Sequence, residues 1–432
     1  MSATQSSAGA VANPLGLAGT ARCGDHLDLR TTQSGVRRRE GALRGFWSIA
    51  AAYAVIQFGG AIPIPLYGLW RHKFPFSNGT LTFIFAIYVL GTLLALLLLA
   101  PLSDQLGRRP LLLLALGFAG AGTVLFLFAD SVGWLLAARF VSGLSAGITT
   151  ATATAALHEL QPESRVKFAS LTATAMNTGG LGAGTLFAGV IAAYAHDPVR
   201  LVFWIYLATV AAALLGVSTV AETVRRQERV SWRPRGLGLP GARRGTFWLA
   251  GAAAFAVFSQ LGLYSSLVPS FLAGSLHEHN LAVAGTVSAA IFLVATATQL
   301  SFHRVTPGRA INAGLALLLA GLALIELGLW TGDLGVLLVG TLGGGLAVGF
   351  AFMGAAATVD LLASPERRGQ VLATFFCCAY AGLSCPALAV GIATDSVSVT
   401  SATLACAVAI GVISIATMIP FLTGRARADT AA

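Results

Sequence analysis

The strongest constraint on this chain is a succession of long apolar runs, each about as long as a lipid bilayer is thick. They cover 46–69, 81–101, 110–129, 133–156, 166–194, 201–220, 246–272, 281–301, 309–330, 334–361, 370–394 and 399–423. A helix needs roughly 20 apolar residues to cross the hydrocarbon core. Only helices and closed barrels satisfy their own backbone groups in lipid. The runs are continuous, without the polar–apolar alternation of barrel strands, so helices are expected. The predicted fold class is an all-α membrane protein with twelve transmembrane helices. Composition agrees: 56% of the 432 residues are hydrophobic and 10% charged, against about 25% charged in soluble domains.

The net charge of +10 does not point to nucleic acid once its distribution is read. With the amino terminus in the cytoplasm, all but four of the 27 Lys and Arg residues fall in cytoplasmic segments. The exceptions are Arg71, Lys73 and Arg200 on the other side and Arg139 inside a span. This is the positive-inside asymmetry, and it predicts a multi-pass protein with both termini cytoplasmic. Lys73 and Lys167 are the only lysines, an arginine-rich usage that suits GC-rich coding and a bacterial inner membrane. The bilayer is the expected environment, a monomer the expected state, and nucleic acid is not an expected partner.

Residues 1–45 are rich in Ser, Ala, Gly and Arg and are expected to be a disordered cytoplasmic tail. They contain no apolar core followed by a cleavage site, so no signal peptide is expected. The basic stretch Glu222–Arg244 divides the spans six and six. The expected domains are bundles over 46–220 and 246–424, a basic cytoplasmic linker over 221–245, and a short tail over 425–432. The halves also repeat. Phe46-Trp47 and the following Ala50–Val55 return as Phe247-Trp248 and Ala252–Val257; Pro162-Glu163 returns as Pro365-Glu366; Gly180 to Gly189 returns as Gly382 to Gly391. Offsets stay near 202 residues throughout. An even number of spans per repeat makes the halves parallel, which suits two bundles rocking about a site between them.

Between the second and third runs lies Ala100-Pro-Leu-Ser-Asp-Gln-Leu-Gly-Arg-Arg109. It resembles the loop between helices 2 and 3 of the major facilitator superfamily, with Leu102, Asp104, Gly107, Arg108 and Arg109 matching in place or in kind. Ala100 replaces the usual Gly and Gln105 a frequent Arg. The resemblance implies a cytoplasmic gate formed by Asp104, Gly107, Arg108 and Arg109, with the acid near the start of a helix in the other bundle. A carboxylate there gains from the helix dipole and from guanidinium groups. Arg139-Phe-Val-Ser-Gly143-Leu-Ser-Ala-Gly147 is similar to the superfamily's helix-4 signature. Gly179-Gly-Leu-Gly-Ala-Gly184 resembles the helix-5 motif of its drug–proton antiporters, with Thr185 where a Pro normally follows. The likeness extends from Phe46 to Thr423 and implies a two-bundle fold with pseudo-twofold symmetry.

Arg139 needs a partner or a wet cavity, because an arginine near a helix centre costs about 2.5–3.5 kcal/mol on insertion scales; snorkelling to the interface is the alternative. Tyr53, Gln57 and Tyr67 on the first span, Ser142 on the fourth, and Ser259, Gln260 and Tyr264 on the seventh are candidates to line a cavity for a neutral or amphipathic solute. Helix packing explains any one of them equally well. Glu326 is the leading candidate for a titrating intramembrane acid. No metal site or cofactor is expected: His277-Glu278-His279 sits in an unsuitable outer loop, the five cysteines lack ligand spacing, and no P-loop supplies ATP. The expectation is a non-enzymatic secondary transporter that exports a small organic solute against a proton gradient. A metabolite importer of the same fold, a non-transporting sensor or assembly partner, and a channel remain open.

Overall fold

The computed structural model describes residues 25–99, 102–161, 165–222, 237–241, 243–274, 280–364, 368–394 and 396–423. Among them the chain is helical, without strands. In order come α1 (Asp25–Ala61), α2 (Pro63–Lys73), α3 (Asn78–Leu94) with a π-helical turn over Ala95–Leu99, the short α4 (Ser103–Leu106), α5 (Arg108–Leu127), α6 (Val132–Glu159), α7 (Val166–Tyr194) and α8 (Pro198–Ser218). The second half contains α9 (Arg244–Gly274), α10 (Leu281–Ser301), α11 (Pro307–Thr331), α12 (Leu334–Leu362), α13 (Arg368–Ala393) and α14 (Val399–Leu422).

The first span differs from expectation at both ends. Helix α1 starts at Asp25, so the expected disorder does not extend to residue 45. No proline interrupts 25–61, and a helix anchored at one end extends at the gain of one hydrogen bond per residue fixed. The span then breaks at Ile62, where Pro63 takes the first position of α2. Proline is suited to that position because its missing N–H would be unpaired there anyway.

Among the described residues eleven spans are long and apolar enough to cross a membrane, with α1 and α2 counted together. The twelfth, α7, has the length, at 29 residues, but Asn177 and its threonines and glycines dilute its hydropathy. It packs between α1 and α10, so its polar atoms face protein.

The molecule has two ends. One, here called the charged end, carries α4 and the start of α5. At the opposite end, helices start under side-chain caps: Ser77 accepts from the Thr80 amide, Asn280 from Ala282, Asp333 from Gly335 and Ser398 from Ser401. These caps satisfy amides that have no intrahelical partner.

Helix association in lipid gains little from hydrophobicity and depends on close packing at small residues. The repeat uses the same device twice. A side chain on Gly180 or Gly184 of α7 would collide with the α1 carbonyls of Ala54 or Phe58. One on Gly382 of α13 would collide with the α9 carbonyl of Phe255. Two apolar cores result. The second belongs to α9–α14, whereas the first runs through α1–α8 and continues into the second half, from Ala284, Val287 and Leu337 at its opposite end to Ile291, Phe292 and Tyr380 at mid-depth. The halves therefore share an apolar core from that end to mid-depth.

Candidate functional site

The link at the charged end folds as a compact ion network. Gly107 takes φ 105°, a left-handed conformation that favours glycine. A side chain here would also run into the Glu222 carboxylate. That carboxylate accepts from the amides of Arg108 at 2.8 Å and Arg109 at 3.1 Å, capping α5. The Arg108 guanidinium pairs with Asp104 at 2.6 Å and with Glu159, at the end of α6, at 2.8 Å. It also donates to the Ser103 hydroxyl, and Arg109 donates to the Ser218 carbonyl at the end of α8. These partners lie in the first half, apart from Glu222, which stands where the linker begins. Among the described residues Asp104 pairs with Arg108 of its own link. The helix start bound by an acid is that of α5, and the acid is Glu222. Two carboxylates converging on one partly buried guanidinium explain the choice, since charge-assisted bonds are strongest away from water.

Arg139 does not snorkel. It is 1% exposed and sits in an aromatic box, with its guanidinium carbon 5.4, 5.7 and 5.2 Å from the ring centres of Tyr67, Phe85 and Tyr88. Nε donates to the Tyr67 hydroxyl and Nη1 to the Gly60 carbonyl at 2.7 Å. Nη2 is buried without a partner. Among the described residues no acid pairs with it. Ring faces and a carbonyl opened by the break at Ile62 replace one, because a ring quadrupole attracts a desolvated cation.

The seam between the halves is built on α7 and α10. The glycines of α7 divide by face: Gly180 and Gly184 serve α1, while Gly182 meets Leu293 and Phe292, and Gly189 meets Gly285 across the seam. Beside this contact, the Thr178 hydroxyl donates to Gln299 of the second half at 3.4 Å. The adjacent Asn177 accepts from Gln57 Nε2, while Gln57 Oε1 and Gln299 Nε2 remain without partners. Tyr53 faces Thr150 and Thr154, and Tyr380 of α13 reaches the same Thr150 from the other half. Phe258 and Phe376 flank Tyr380. Hydroxyls, amides and aromatic faces thus converge at mid-depth from both halves, the lining expected of a pathway for an organic solute.

A model of the Major Facilitator Superfamily matches residues 49–384. The chain belongs to that superfamily. A search of curated proteins finds no match. Among solved structures, the human organic anion transporter MFSD10 (TETRAN) is similar at 18% identity, covering 88% of this chain and 99% of that one with a TM-score of 0.67. A bacterial homologue of the human lysosomal transporter Spinster, in an inward-facing and unoccupied conformation, is similar at 17% identity over 89% and 97% of the two chains, with a TM-score of 0.69. At these identities the likeness establishes the fold, and with the family it makes the protein a multi-pass membrane transporter rather than an enzyme.

The cavity candidates separate on this frame. Tyr53 and Gln57 lie beside the seam, and Tyr67 belongs to the Arg139 box. Ser142 packs against Gly122 of α5 inside the first half, and Ser259 bonds the Phe255 carbonyl of its own helix. Tyr264 bonds Thr341 at 2.6 Å and the Val287 carbonyl within the second half. Gln260 lies against Gly344 of α12, its amide atoms unpartnered. Ser142, Ser259 and Tyr264 thus make their described contacts within their own bundles. Glu326 bonds Thr403 of α14 at 3.2 Å, on the side of the second half away from the seam. Tyr380, Asn177, Gln299 and Glu222 escaped the sequence reading. Asn177, an amide in an otherwise small and apolar run, was the available signal. His277–His279 lie outside the described residues.

Proposed function

We propose that this superfamily member moves a small organic solute across the membrane by alternating access, in the outward direction and coupled to protons. One observation carries the reading. The halves share an apolar core at the opposite end and meet through hydroxyls and amides at mid-depth, and at the charged end the described ion pairs Arg108–Asp104, Arg108–Glu159 and Arg368–Asp360 each lie within one half, with His158 near Arg368 and Asp360 across the seam. This is the arrangement of a transporter open toward its charged end. Positive-inside asymmetry supports assigning that end, with both termini, to the cytoplasm of a bacterial inner membrane, and the protein works as a monomer with bundles over 46–220 and 246–424. Outward direction and proton coupling are supported by the likeness of Gly179–Gly184 to efflux-type motifs. Glu326 offers little to that coupling, since it lies off the seam.

The test is flux in reconstituted vesicles with an imposed pH gradient, over a panel of neutral, cationic and anionic solutes. Saturable flux that reverses with the gradient is expected. Saturable flux indifferent to pH would remove proton coupling, flux that never saturates would indicate a channel, and no flux for any solute would indicate a non-transporting protein.

A further inference from the structure

We propose that Arg139 and the rings around it form a binding subsite for an organic carboxylate, an anion carried on an apolar body. The proposal rests on the transport reading for its role as a substrate site, while binding itself can be tested without transport. The first argument is charge. A guanidinium 1% exposed in a spanning helix has no acid paired with it among the described residues, and such a cation is expensive unless something compensates it. The second is geometry. Nε and Nη1 are engaged by Tyr67 and Gly60, but Nη2 is left over. The fork of an arginine matches a carboxylate, and the Tyr67 hydroxyl, which accepts from Nε, retains a proton to donate to the same anion.

The third argument is that the architecture does not need the charge. The residue 202 positions on is Thr341, which ties α12 to Tyr264 of α9 with a neutral hydrogen bond. A purely structural clasp would have served equally in the first half. The fourth is access. Tyr67, Phe85 and Tyr88 each remain about 7% exposed above the fully covered cation. Tyr88 stands on α3, which packs on α13 across the seam, and it interacts with Tyr380. The box thus adjoins the solute pathway, and its ring faces suit the apolar body of the ligand.

Benzoate and its neutral isostere benzamide, titrated into the purified full chain and followed by thermal shift, test this, with chloride as the ionic control. Benzoate should stabilise the protein saturably, and benzamide and chloride should not. Arg139→Gln should weaken benzoate at least tenfold, and Arg139→Lys should weaken it several-fold by losing the planar fork. Absence of a benzoate effect, equal effects of benzoate and benzamide, or an undiminished effect in Arg139→Gln would each overturn the proposal. Should Arg139→Gln not fold, Tyr88→Leu keeps the cation and removes one ring wall; several-fold weaker benzoate binding is expected, and unchanged binding overturns the site. Benzoate binding without flux of any solute would sink the transport reading and leave the site, whereas benzoate flux undiminished in Arg139→Gln would sink the site alone.

Discussion

Arg139 and Thr341 occupy equivalent places in the two halves, and they do different things. In the first half a cation is enclosed by rings; in the second a hydroxyl meets a tyrosine at 2.6 Å. The charged end repeats the contrast. Glu159 and Asp360 lie at the charged ends of α6 and α12, yet Glu159 grips an arginine shared with Asp104, while Asp360 holds Arg368 in a pair with both side chains 43% exposed. The backbone frame is duplicated and the electrostatics are not. Close glycine packing tolerates little change, so both copies keep it, and charge is where one half could specialise.

The sharpest way to break this comparison is to exchange its centres. Arg139→Gln should lower flux in vesicles about tenfold or more, since losing one partner of a buried charged contact costs about 2–5 kcal/mol; Thr341→Ala should leave flux within about twofold. Equal losses would mean that the halves share the work. Next comes the charged end. Thermal unfolding in detergent should show Glu159→Gln destabilised by about 2 kcal/mol, the scale of hydrogen bonds to charged groups. Asp360→Asn should lose under about 1 kcal/mol, as exposed pairs do, and that loss should shrink in high salt. A third comparison sets Gly107 against Gly369, which start the charged ends of α5 and α13. Gly107→Ala should cost about 1–3 kcal/mol through its left-handed backbone and the displaced Glu222 carboxylate. Gly369→Ala, with nothing within 4 Å of the added carbon, should be neutral or stabilising by about 0.5–1 kcal/mol. Smallest is Tyr264→Phe, at about 1 kcal/mol, because Thr341 retains its bond to the Leu337 carbonyl.

The spans were legible because lipid imposes one requirement, apolar length, that sequence displays directly. The repeat was legible because glycines such as Gly180 and Gly382 do the same task in both copies. The partners of charged groups were not. Arg139 invites a search for an acid, and its compensation is instead three rings and a carbonyl from other helices, which no spacing along α6 reveals. Glu222 reads as the start of a linker, although it caps α5 from more than a hundred residues away. Tyr380 looks like one more aromatic residue in a greasy helix until the second half is laid against Thr150. Ser142, Ser259 and Tyr264 show the converse limit: a hydroxyl in a span reads as pathway, and its engagement by a backbone carbonyl one turn back or by a neighbouring helix is not visible in the sequence.

The contact between Gly189 and Gly285 has a consequence for regulation by sequence drift. A carbon added to Gly189 would lie 2.6 Å from the Gly285 Cα, so the end that is shut is closed backbone to backbone. Among the described residues no charged or hydrogen-bonding side chain takes part in this glycine contact. A single methyl at either position acts as a wedge, shifting how long the molecule rests in each orientation without touching the solute. Turnover in this protein could therefore be tuned independently of what it carries.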